Sequence, residues 1–254
     1  MADLLSAAMK AARAGGEVAL QYFERAVAWE TKPDGTPVTV ADRATERMIF
    51  RRLHEADPTA GFLGEEGAVW KSPDLVTIPR RWIVDPIDGT REFLGGRASW
   101  AVLIAFEEAG VITLGVIHAP ALGDTYFAVK GGGSWKNDVR LRVSPVEHFG
   151  GPLRLAGPRM TPEPYWHEFI TEDGASHQTP KDVFGYTAVA EGRGLAYVEM
   201  DKNGSYPWDL AAPKVLVEEA GGCFTDVDGK PSIYGRSGVA TNGHTHGHIL
   251  SALW

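Results

Sequence analysis

The sequence has one cysteine, Cys223, among 254 residues. An intrachain disulfide is therefore impossible, which suits a reducing compartment, and the expected location is the cytoplasm. No run of eighteen apolar residues exists, so no membrane span is expected. The opening MADLLSAAMKAARAGGEVAL carries Asp3 and no basic stretch ahead of its apolar residues, and reads as a helix rather than a signal peptide. No Lys/Arg run stands out against a formal net charge of −8, so nucleic-acid binding gets little support. No solenoid period and no composition break are present, so any domain boundary is soft.

What is present is ordinary for a globular protein, with 44% hydrophobic and 23% charged residues. Apolar groups at helical spacing predict a helix over 3–28, followed by a turn-rich extended loop, TKPDGTPVT. Asp42 begins a second helical stretch with Met48, Ile49 and Leu53 on its apolar face. RWIVDPIDGT reads as a short strand running into a Pro/Gly turn. AVLIAF, VITLGVIHAP and DTYFAVK read as an antiparallel meander that GGGSW continues. After about residue 150, PLRLAG reads as a strand and Pro162–Glu172 as a helix. GLAYVEM reads as a strand, and LAAPKVLVEEAGG as a helix with Pro213 in its first turn. CFTDV and SGVATN are short strands, and HGHILSAL is a terminal helix. The expected class is α/β (α+β) in layers, as lobes 1–150 and 151–254 or as one domain.

The chemistry concentrates in carboxylates. Trp82-Ile83-Val84 delivers Asp85 and Asp88 to a turn stiffened by Pro86 and opened by Gly89. Two carboxylates so placed can converge on one point, and hard cations such as Mg²⁺ take oxygen ligands, among which the Ile87 carbonyl could be counted. If a helix begins at Gly89 and Thr90, its free N–H groups could receive phosphate oxygens. The bland alternative is an Asp-Gly turn with Thr90 as an N-cap. Three further acidic sites accompany this block: Glu65 and Glu66 between glycines, Asp42 in TVADRATE, and Asp209 after Trp208. Asp42 and Asp209 are equally natural helix N-caps.

Taken in order, TVADRATE, GEEG, WIVDPIDGT and WDLAAPKVLVEEAGG resemble the inositol monophosphatase superfamily of Mg²⁺-dependent, lithium-sensitive phosphatases. The resemblance implies a layered αβαβα fold and a homodimer. It implies one metal on Glu65, Asp85 and the Ile87 carbonyl, and a second on Asp85, Asp88 and Asp209. Two or three Mg²⁺ ions per site are implied, with Mn²⁺ able to substitute. Glu66 would support the site, and Asp42 would pair through Thr90 to orient the attacking water. Gly89 and Thr90 would donate to the phosphate, while Lys32 matches a basic position in the family's mobile loop. Paired metals can clamp the attacking and leaving oxygens of an in-line displacement.

The substrate signals diverge. ATNGHTHGHILSAL and VFGYTAVAEGRGLAYVE resemble the bacterial histidinol-phosphate phosphatase branch, whereas Arg91-Glu92-Phe93 is closer to the nucleotide 3′-phosphatase branch. The inositol branch places an acid a few residues before WD, and resemblance to it makes Glu199 and Asp201 the candidates for that substrate-binding acid, although the DKNGSYP spacer differs in length; Tyr186 is a candidate pocket residue whose plainer reading is a strand aromatic. The expected activity is hydrolysis of a small phosphate ester, histidinol phosphate or inositol monophosphate. The alternatives are 3′(2′),5′-bisphosphate nucleotidase or fructose-1,6-bisphosphatase activity, or a non-catalytic metal- or phosphate-binding protein. The spacing Asp85-x-x-Asp88 argues against the D-x-D nucleophile of haloacid-dehalogenase-type phosphatases. His244, His246 and His248 do not all share a helix face, although His244 and His248 do, and a zinc site needs three or four well-placed ligands.

Overall fold

The apolar period at the N-terminus produces α1 (Ala2–Phe23), which turns Ala8, Ala11, Ala12 and Ala19 inward. The computed structural model describes residues 1–23, 25, 29–31, 37–67, 78–153, 165–201 and 205–254. The expected continuation of the first helix to residue 28 lies mostly outside them, as does Lys32. The chain forms two compact units, Met1–Lys130 and Gly131–Trp254.

In the first unit, β1 (Trp29–Thr31) and β2 (Pro37–Thr39) pair antiparallel and lead into α2 (Val40–Ala56). Next come β3 (Gly61–Gly64), β4 (Arg80–Asp88), the short α3 (Thr90–Leu94), β5 (Ala101–Glu108), β6 (Val111–Ala119) and β7 (Asp124–Val129). Within this unit the strands stand in the order β3-β4-β5-β6-β7. β3 lies parallel to β4, and β4 to β7 run antiparallel, which is the expected meander with one strand added. Ala8, Ala11 and Ala12 of α1 and Ile49 and Leu53 of α2 pack on Trp82, Val84, Val102, Ile104, Phe106, Leu114 and Val116 of the sheet. The even-numbered residues of β5 share this cluster because a strand presents alternate side chains to one face.

In the second unit, β8 (Gly133–Lys136) and β9 (Val139–Arg140) form a hairpin. Both carboxylate oxygens of Glu219 receive backbone N–H groups of the preceding turn, from Gly131 at 2.8 Å and Gly133 at 2.9 Å. The remaining elements are β10 (Tyr165–Ile170), β11 (Ser176–His177), α4 (Val183–Ala190), β12 (Ala196–Asp201), α5 (Pro207–Glu219), β13 (Cys223–Thr225), β14 (Ser237–Thr241) and α6 (His246–Leu253). Five of these strands form an antiparallel sheet in the order β11-β10-β12-β14-β13. Ile249 and Leu253 of α6 pack on Ile170, Ala196, Val198 and Val239 of that sheet.

Four local expectations are corrected. The helix expected over Pro162–Glu172 is, where described, strand β10, whose register with β12 runs to Ile170↔Ala196. A six-residue segment rich in aromatic and β-branched residues gains more from ladder pairing than from one and a half helical turns. The strand expected at PLRLAG lies mostly outside the described residues, and Pro152 and Leu153 are not in a strand. Pro213 is interior to α5, because the helix begins three residues earlier than LAAPK suggests, at Pro207. Tyr186 sits on helix α4 rather than on a strand.

Two half-buried histidines make stability depend on pH. Burial first, and the Arg13 guanidinium second, hold His118 below the ordinary 6.5, and burial does the same to His246. The unfolded chain therefore takes up these protons at higher pH than the folded chain does. Their contribution is intact above about pH 6.5 and is lost as pH falls below it. Urea midpoints should fall between pH 7.5 and 5.5, and His118→Gln should flatten that slope; an unchanged slope would exclude His118 as a source.

Candidate active site

Three elements of the first unit present the acidic residues singled out in the sequence. β3 and β4 run parallel, so both end in the same direction, with Gly64 opposite Val84. The Glu65 N–H donates to the Val84 carbonyl at 3.1 Å, which carries this ladder one residue past β3. Glu65 and Glu66 thus follow the end of β3 while Asp85 to Asp88 complete β4.

The pairing of β4 with β5 is irregular at that point. Asp85 stands opposite Leu103 and Asp88 opposite Ala101, so three steps along β4 run against two along β5. In an unbroken strand, residues three apart point to opposite faces. The extra residue cancels that alternation, and carboxylate oxygens of Asp85 and Asp88 lie within 4.8 Å of one another. Pro86 fits a bulge because it has no N–H to offer the ladder. Asp85 Oδ1 accepts the Ile87 N–H at 2.9 Å, which holds the carboxylate against its own turn. Asp85 and Ile87 are almost fully buried.

Beyond the bulge, Gly89 has φ 81° and ψ 38°, a left-handed conformation that costs a side chain about 1–2 kcal/mol. It is the N-cap of α3, whose first residue is Thr90. The Thr90 reading as a cap is thereby corrected. The Thr90 hydroxyl lies 3.1 Å from the Ile87 carbonyl and 3.5 Å from Asp42 Oδ1. It has one proton and two acceptors within reach.

Asp42 is not the N-cap of α2; Thr39 is. The Thr39 hydroxyl accepts N–H groups of Ala41 and Asp42, and Asp42 Oδ2 accepts from the Thr39 N–H at 2.8 Å and the Thr39 hydroxyl at 2.6 Å. This reciprocal box fixes one carboxylate oxygen of Asp42 while the other faces Thr90. Thr39 and Asp42 are both buried. The sequence carried the signal as T-x-x-D, which the N-cap reading of Asp42 passed over. A second residue it missed is Glu46, one turn further along α2 and fully buried, whose Oε2 accepts the Glu66 N–H at 2.8 Å. Its signal was an acid at the position where the helical period calls for an apolar side chain.

In the second unit, Asp209 occupies the same helical position as Asp42. It is the third residue of α5 rather than its N-cap, and its Oδ2 accepts the Tyr206 N–H at 2.6 Å. Tyr206 and Trp208 stack with ring centroids 4.8 Å apart. Glu199 is buried on β12, where its two oxygens accept from the Ser205 hydroxyl at 2.8 Å and the Tyr197 hydroxyl at 3.3 Å. Tyr186 is 1% exposed and packs edge-on against Tyr197 at 4.7 Å, a core position within this unit. His246 has its ring nitrogens against the hydroxyls of Thr225 and Thr241, both at 3.0 Å, and His244 lies outside α6.

A family model described as the Inositol monophosphatase family matches residues 1–254. The chain belongs to this family. It is 36% identical over 261 residues to a histidinol-phosphatase of Chlorobaculum parvum, covering 98% of this chain and 95% of that one. It is 37% identical over 260 residues to a histidinol-phosphatase of Mycobacterium tuberculosis, covering 99% and 97%. Among solved structures it superposes on the extragenic suppressor protein SuhB of Bartonella henselae with a TM-score of 0.80, 28% identity, and coverage of 98% and 97%. The mixed α/β fold is thus the family's, and the protein is a phosphoric monoester hydrolase of a metal-dependent family. The converging oxygens of Asp85 and Asp88 are the donor chemistry that a hard divalent cation requires.

The cap makes a prediction of its own. Thr39→Ala removes the hydroxyl that both accepts from α2 and donates to Asp42, and should lower stability by about 1 kcal/mol. It should also lower turnover, since Asp42 Oδ2 loses a partner, whereas Thr39→Ser should preserve both. Urea unfolding and initial rates on the two variants check this; a stability loss with unchanged turnover would confine Thr39 to capping.

Proposed function

We propose that this protein is a Mg²⁺-dependent phosphatase that hydrolyses histidinol phosphate. The observation that carries the metal reading is the bulge in β4, which brings two carboxylates onto one side beside a threonine paired with a buried aspartate. The substrate reading is supported by the two histidinol-phosphatases, each similar over nearly the whole of both chains.

Asp85, Asp88, Glu65 and the Ile87 carbonyl would hold the cations, with Asp209 of the second unit as a further ligand and Glu66 in support. When bound, divalent cations supply Lewis acidity toward phosphate oxygens and lower the pKa of water toward neutrality. The Thr90 hydroxyl accepts a proton from the attacking water as it passes its own proton to Asp42 Oδ1. Asp42 is suited to this because Oδ2 is already held by Thr39, leaving Oδ1 on the Thr90 side. The backbone N–H groups of Gly89 and Thr90 donate to the phosphate. Water oxygen bonds to phosphorus as the ester P–O bond breaks; the departing alkoxide takes a proton from a solvent water to leave as the alcohol, and Asp42 gives the proton it gained to the hydroxide so formed. Glu199 is the proposed contact to that alcohol, held in place by Ser205 and Tyr197.

Activity should vanish on exhaustive chelation and return with Mg²⁺ or Mn²⁺. Asp88→Asn should lower turnover by orders of magnitude with the fold retained, since a ligand charge is lost. Retention of near wild-type rate by Asp88→Asn at saturating Mg²⁺ would remove it from the ligand set. In a panel of histidinol phosphate, inositol 1-phosphate, fructose 1,6-bisphosphate and adenosine 3′,5′-bisphosphate, histidinol phosphate should show the highest kcat/KM. A higher value for another ester would overturn the substrate reading while leaving the metal mechanism standing.

Thr90→Ala should lower kcat and kcat/KM together, as expected for a contact made in the transition state. Thr90→Ser keeps the hydroxyl and should be much milder. Equal rates for both variants and wild type would take the hydroxyl out of the proton path.

A further inference from the structure

Glu46 is a fully buried carboxylate in the second turn of α2, four residues after Asp42 and on the same helical face. Burying a carboxylate is unfavourable unless it is well hydrogen-bonded. Its Oε2 accepts the backbone N–H of Glu66 at 2.8 Å. The approach is close because residue 64 is glycine: a Cβ there would overlap Glu46 Oε2 and stand 2.7 Å from the Phe62 ring. One face of α2 therefore contacts both acidic loops of the first unit. Asp42 meets the loop after β4 through Thr90, and Glu46 meets the loop after β3 through Glu66.

Past β3, the Glu65 N–H holds the loop to the sheet through its bond to the Val84 carbonyl. The bond to Glu46 is the next fixed point along it, at the residue immediately after Glu65. Two fixed peptide N–H groups in succession define where the Glu65 side chain emerges. Groups that orient ligands without touching the metal typically change metal affinity 10–100-fold when removed.

We propose that Glu46 is a positioning residue for metal binding, acting through the acceptor it offers to the Glu66 N–H, which sets the turn that presents Glu65. This rests on the reading of Glu65 as a ligand given above. What Glu46 supplies in this role is reach and an acceptor oxygen.

The test is Mn²⁺ binding to the substrate-free full-length protein, followed by electron paramagnetic resonance of free Mn²⁺, with melting temperature measured in chelator. Glu46→Asp keeps the charge but withdraws the oxygen by one methylene, and should weaken Mn²⁺ binding by on the order of ten-fold. Glu46→Met fills the space with no equivalent acceptor and should weaken it similarly, so two independent losses keep the test readable if one variant folds poorly. Glu46→Gln retains a carbonyl oxygen at the same reach and should bind close to wild type. Wild-type affinity in both Asp and Met variants, with only the melting temperature lowered, would overturn the proposal in favour of a purely structural role. Weak binding by Gln with strong binding by Asp would overturn it in favour of charge. Failure of the wild-type protein itself to bind Mn²⁺ would instead refute the metal reading on which this rests.

Discussion

A β-strand alternates its side chains, so two aspartates three residues apart belong on opposite faces unless something breaks the rhythm. In β4 the break is a single inserted residue between Asp85 and Asp88, measured against Leu103 and Ala101 of the neighbouring strand. The composition of the turn follows from it. Pro86 occupies a place where no N–H is wanted, the Ile87 N–H is turned back onto Asp85, and Gly89 adopts the left-handed conformation that starts α3. The bulge also sets like charges close together, an arrangement that a divalent cation relieves.

Helix α2 is the second support. A helix places residues four apart on one side, and α2 uses Asp42 and Glu46 there instead of apolar side chains. Thr45, beside them, is also buried. One rigid element thereby reaches the loops that follow two neighbouring parallel strands. The apolar residues further along, Ile49 and Leu53, anchor the same helix in the core of the first unit. Packing and polar positioning are successive stretches of one helix rather than separate features.

Much of this was legible in the sequence because its signals are local. The meander over β5, β6 and β7 follows from three consecutive segments, AVLIAF, VITLGVIHAP and DTYFAVK, and the turns between them. The WIVDPIDGT block announced a strand ending in a rigid acidic turn. Glu46 was harder, because its role depends on Glu66, twenty residues away, and on the absence of a side chain at Gly64. The bulge was not legible at all, since it is defined against β5 and not by β4 alone. The plain N-cap alternative for Asp42 and Asp209 failed for a simple reason: an aspartate near a helix start is as good a third residue of a capping box as it is a cap. β10 was misread because a short aromatic segment carries too few periods to separate the two structures, and pairing with β12 decided the matter.

The shared helical position of Asp42 and Asp209 has a consequence for how freely each side chain moves. Each ties one carboxylate oxygen to a backbone N–H three residues earlier, at 2.8 Å and 2.6 Å. A side chain tethered in this way has surrendered its rotameric freedom on folding rather than on encounter with a ligand. If Asp209 serves as a ligand in the proposed role, it would offer a donor already restrained by its own helix. Calcium takes six to eight oxygens in loose arrangements, whereas magnesium demands a tight, nearly ideal octahedron. A donor restrained in this way would favour the smaller ion, and that contribution would come from the capping geometry of a helix.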